Sequence, residues 1–72
     1  MYGQEAAAEL GRLFALNFGV LTQANLEAVG YDIVDLISRA WIARRPGRWS
    51  EGFQPAGPIV AAHTAALHAL AA

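Results

Sequence analysis

A chain of 72 residues with 56% apolar and only 15% charged side chains, no cysteine and a net charge of −1 excludes a good deal. It forms at most one small domain, residues 1–72, burying about 60% of its unfolded surface, and it has neither disulfides nor thiolate metal sites. Near-neutral charge gives no global pull toward nucleic acid or a membrane surface. So low a charge content favours association, because well-behaved small surfaces carry about 25–35% charged residues.

The chain opens with MYGQEAAAELGR, which lacks the basic start and continuous apolar stretch of a signal peptide. With no cysteine to suggest an oxidising compartment, the expected location is cytoplasmic. A first helix is predicted over residues 3–18. At 100° per residue, Ala6, Leu10, Leu13, Phe14, Phe18 and Leu21 share one face, and Glu5, Glu9 and Arg12 share another. Gly19 is either a break or a kink. Asn17 falls within the apolar face, and is either a buried amide that fixes register or a helix-end residue that turns the backbone. If buried, it is a candidate hydrogen-bond partner for His63.

A second, longest helix is predicted over 22–45. Thr22 suits the N-cap, with Leu21 and Leu26 at the staple positions. Asn25 stands where a capping box would have Glu or Gln. Leu26, Val29, Ile33, Leu36 and Ala40 alternate by three and four, and Val34, Ile37 and Trp41 widen the stripe. Pro46 stops the helix. The loop 46–57, PGRWSEGFQPAG, is expected to be ordered, since it combines fixed turns with Trp49 and Phe53 as anchors. A third helix is predicted over 58–71, with Pro58 at its first position and Ile59, His63, Leu67 and Leu70 on one face. Residues 52–72 carry no charge, but Gln54, Pro55, Pro58, His63 and His68 interrupt any membrane span. The expected fold is all-α: a three-helix hairpin arrangement packed against a partner or a second copy.

Candidate sites are few. All five basic residues are arginines, and Arg39, Arg44, Arg45 and Arg48 lie within ten positions, interleaved with Trp41 and Trp49. Guanidinium groups bind phosphate or carboxylate bidentately, and tryptophan stacks on bases or on arginine. The alternative is a set of cations favoured at a helix C-terminus, with the tryptophans closing the core. Four arginines on an acidic chain are a weak DNA footprint. His63 and His68 are five residues apart, about 140° around a helix, so they do not form a metal pair. His63 is instead expected to be a buried polar group. Glu27, Asp32 and Asp35 lie on a solvated helix face, without the buried setting acid–base catalysis needs. No nucleophile elbow or phosphate loop is present. The chain is therefore expected to be non-catalytic, with no metal and no cofactor.

What remains is a small helical interaction protein: a subunit, adaptor or assembly factor. Its apolar faces (Leu10, Phe14, Leu26, Val29, Ile33, Leu36, Ile37, Trp41) would bind itself or a larger host protein. The cluster Arg39, Arg44, Arg45, Arg48 and Trp49 would set orientation through an anionic partner. Binding of an anionic ligand or nucleic acid through that cluster is the alternative class, nucleic acid being the less favoured. LTQANLEAV, residues 21–29, resembles segments of phasins, the helical proteins that coat polyhydroxyalkanoate granules. That resemblance implies amphipathic coating of a lipid or polymer inclusion. The proline-rich loop and the Arg/Trp cluster depart from that family.

Overall fold

The structure, a computed structural model, describes residues 3–46 and 52–71. It is mostly helical (61%) with a small two-stranded antiparallel sheet. In chain order it comprises α1 (Gln4–Leu16), α2 (Gln23–Ala28), α3 (Ile33–Ser38), β1 (Ile42–Arg44), β2 (Phe53–Pro55) and α4 (Pro58–Ala71). Four helices are therefore present among the described residues, where the sequence predicts three. The first and last lie where periodicity places them.

The corrections concern 22–45, which is two short helices and a strand, and the expected loop 46–57, which contains β2 and of which residues 47–51 lie outside the described ones. The same backbone device ends each of α1, α2 and α3. A residue in the left-handed region follows the C-cap, and the next amide reaches back five residues to a carbonyl of the last turn. Gly30 (φ 92°) does this for α2: the Tyr31 amide donates to the Leu26 carbonyl (3.0 Å) and the Gly30 amide to Glu27 (3.0 Å). Ala40 (φ 56°) does it for α3, with Trp41 donating to Leu36 (3.0 Å). Phe18 (φ 60°) does it for α1, with Gly19 donating to Phe14 (2.7 Å). The Gly19 region is thus a break and not a kink.

Helix starts are equally explicit. The Thr22 hydroxyl accepts from the Asn25 amide (3.1 Å), and the Thr22 amide donates to Asn25 Oδ1 (3.0 Å), so asparagine closes the capping box. Asp32 caps α3 by accepting from the Val34 amide (3.2 Å).

β1 and β2 pair antiparallel in the register Ile42↔Pro55, Ala43↔Gln54, Arg44↔Phe53. Leu21 adds a single rung on the other side of β2, exchanging both backbone hydrogen bonds with Phe53. This ties the α1–α2 connection to the hairpin. The core draws on every segment: Leu10, Phe14, Leu21, Leu26, Tyr31, Ile33, Leu36, Ile42, Phe53 and Ile59. α4 lies against α1 at very close range, because Gly11 faces Ala62. A Cβ on Gly11 would sit 2.5 Å from the Ala62 carbonyl carbon.

Candidate nucleic-acid interface

α2 and α3 are joined by Val29–Asp32, a four-residue connection with a left-handed glycine, which is the form of a helix–turn–helix. Tyr31 holds this turn to α1. Its ring is buried, and its hydroxyl donates to Glu9 Oε1 (2.6 Å). Immediately after α3, the chain passes through Trp41 into the hairpin.

Folding back at Gly30 reassigns the residues expected to bind a partner. Leu10, Phe14, Leu26, Ile33 and Leu36 are buried in the chain's own core, Trp41 packs partly buried against it, and only Val29 (48%) and Ile37 (41%) stay exposed. An unbroken helix would have left many of these side chains outside. A turned one gathers them into one core.

The arginines gather at the α3–hairpin edge. Arg39 Nε lies 3.2 Å from Asp35 Oδ1, one helical turn earlier, and its guanidinium is 5.9 Å from the Trp41 ring. Arg44, at the exposed end of β1, stands 5.3 Å over the Phe53 ring. That contact holds the guanidinium by cation–π attraction. Arg45 is half-buried at the start of the connection between the strands, its amide reaching the Gly52 carbonyl (3.5 Å). Arg48 and Trp49 lie outside the described residues.

On the outward side of α3, Val34 is 71% exposed, beside Ile37. The polar side chains there are already engaged. Ser38 Oγ donates to the Val34 carbonyl (2.8 Å), and Asp35 holds Arg39.

The two proposed buried polar residues are not brought together. Asn17 is exposed at the α1 C-cap, its amide donating to the Val20 carbonyl (2.9 Å) and to Asn25 Oδ1 (3.5 Å). It is the helix-end residue, not a core amide. His63 sits on the inner side of α4, its ring 6.3 Å from that of Phe14. Its Nε2 is buried, with no hydrogen-bond partner among the described residues.

Sequence reasoning missed the exposed face of α3 and the exposure of Phe18, which is 98% exposed. Gly30 followed by the N-cap residue Asp32 was the local signal for the first. Among the described residues, no three His, Asp or Glu side chains cluster as metal ligands, and no helix is long and apolar enough to cross a membrane. No protein-family model matches the chain, and no curated protein or solved structure matches it either.

Proposed function

We propose that this chain is a non-catalytic winged helix–turn–helix module that binds duplex DNA. α3 would enter the major groove, and the β1–β2 hairpin would act as the wing on the flanking backbone. One observation carries the reading: the helix–turn–helix runs directly into a hairpin whose first strand and connecting segment hold Arg44, Arg45 and, in sequence, Arg48. Charge is partly separated along the chain: Glu5 and Glu9 lie on α1 and Glu27 on α2, whereas the arginines other than Arg12 follow α3, in a part of the chain that also holds Asp32, Asp35 and Glu51. A module of this kind meets its ligand inside the cell, in keeping with a cytoplasmic location.

The test is fluorescence anisotropy with a duplex of roughly 20 base pairs, long enough for two half-sites one turn apart, titrated across salt. Binding should weaken steeply with salt, and Arg44→Ala/Arg45→Ala should lower the salt slope by about two. A folded protein that ignores duplex DNA at low salt would sink the proposal.

A second reading, a subunit or adaptor that docks on itself or on a host protein, is favoured by other exposed side chains. Leu16 (58%) and Val29 (48%) line a groove of about 310 Å³, and Phe18 is 98% exposed. α4 shows Val60, Leu67 and Leu70. Light scattering on a sizing column separates the readings: a discrete dimer without DNA supports docking, and a monomer removes the self-association form of it.

A further inference from the structure

Resting on the docking reading and independent of the DNA one, we propose that two copies of this chain pair about a two-fold axis, each seating its Phe18 in the other's groove between α1 and α2. A single copy makes no use of this side chain. Phe18 is 98% exposed and stands at φ 60°, a backbone setting that disfavours a bulky residue. Gly30 and Ala40 hold the equivalent positions after α2 and α3, so ending a helix requires no ring there. Strain kept without local return points to a use beyond the single chain.

The groove begins at the neighbouring residue. Its volume is about 310 Å³, and Leu13, Leu16, Leu21, Ala28 and Val29 give it apolar walls. Asn17 and Asn25 complete it, with their side chains bonded to each other and to the backbone. None of the lining residues is charged. Such a hollow has no group to pair with a phosphate or a carboxylate, and it suits an uncharged ring. The chain carries that ring one position beyond Asn17, yet its own groove leaves it in solvent. Ring and groove side by side make a self-complementary patch, as a two-fold contact requires: each copy gives a ring and receives one. One insertion covers about 150–250 Å² of ring and a similar area of wall, so two bury roughly 600–1,000 Å², in the range of weak, transient contacts. The dimer is therefore concentration-dependent.

Sedimentation equilibrium of the intact chain, from about 10 µM to about 1 mM, spans the affinities that a contact of this size reaches. Monomer and dimer should exchange across that range. Phe18→Gly removes two rings per dimer and should weaken association about a hundred-fold or more. Ala28→Arg tests the other half of the contact and should weaken association comparably. It puts a cation on the groove wall at the last residue of α2, where the helix dipole favours one. Both positions are exposed, so circular dichroism of dilute samples should match that of the intact chain. A dimer that Phe18→Gly leaves intact would overturn this contact while the docking reading stands. Weakening by Phe18→Gly but not by Ala28→Arg would overturn the groove as the seat of the ring. An intact chain that stays monomeric throughout would bring down this inference together with the self-association form of the docking reading, and would leave the DNA reading as it was.

Discussion

The α1–α4 crossing and the α3–hairpin edge use apolar residues in opposite ways. At the crossing, small residues let two long helices approach until backbone meets backbone, with Gly11 against Ala62 and Ile59 fully buried. At the edge, helices and strands are short, a left-handed residue follows α3, and branched side chains stand in solvent beside arginines. The crossing has no room for change. The edge has surface that the fold does not need. Packing is thus tightest at the first region, and exposed side chains are free to vary at the second.

The sharpest way to break this contrast is to fill the crossing. Gly11→Val would place atoms within 2.5 Å of the Ala62 carbonyl carbon and 2.7 Å of its oxygen. Those are backbone atoms, so no rotamer relieves the clash. Overpacking costs about 1–3 kcal/mol and sometimes more, against a total of roughly 3–5 kcal/mol for a domain this size. Thermal melts followed by circular dichroism should show a melting temperature lowered by about 4–8 °C for each kcal/mol lost. Ala62→Gly should not rescue it, because only one of the three clashing atoms is a side-chain atom.

Within α3 the contrast can be drawn between neighbours. Leu36 is fully buried and Val34 is 71% exposed. Leu36→Ala should destabilise by about 2–5 kcal/mol, while Val34→Ala should change stability by less than about 0.5 kcal/mol. Chemical denaturation of both variants checks this. Similar losses would mean that α3 is not seated as described. A smaller effect is expected at the start of α2, where Thr22→Ala removes the hydroxyl that accepts from Asn25. The expected loss is about 1 kcal/mol.

The same division explains what could be read in the sequence. α1 and α4 were legible because each keeps one helical period between clear ends, Gly3 before α1 and Gly57–Pro58 before α4. The break inside 22–45 was not, since the three-four alternation continues through the turn. Leu26, Ile33 and Leu36 keep their spacing because both short helices bury their inner side in the same core cluster. Gly30 and Asp32 marked the turn, but periodicity was the stronger signal and masked them. The strands were illegible for a different reason. Three residues cannot show period-two alternation, and Ile42–Arg44 is extended only because Phe53 and Leu21, far along the chain, complete the ladder. The arginine cluster was visible as a composition. Its presentation beyond a helix–turn–helix depends on those long-range pairings, so the sequence pointed to the cations and not to the edge they decorate.

Phe18 sits awkwardly in this division, and the smallest predicted effect concerns it. A bulky residue at φ 60° is sterically disfavoured, and a 98% exposed ring buries nothing to offset that. Phe18→Gly should therefore stabilise the chain by about 0.5–1 kcal/mol, the relief of left-handed strain exceeding the added freedom of glycine when unfolded. A rise in melting temperature of a few degrees checks it. Ala40 occupies the equivalent position after α3, and its change to Gly should behave alike. The informative comparison is between these two variants on a sizing column. If the protein self-associates and only Phe18→Gly reduces the molar mass, the strained aromatic is held out for a second copy, and the groove beside α2 gains an occupant. If neither variant alters the mass while both melt later, Phe18 is a suboptimal cap with no part in assembly. Self-association would then have to rest on other exposed side chains, such as Leu16 and Val29 or, on α4, Val60, Leu67 and Leu70.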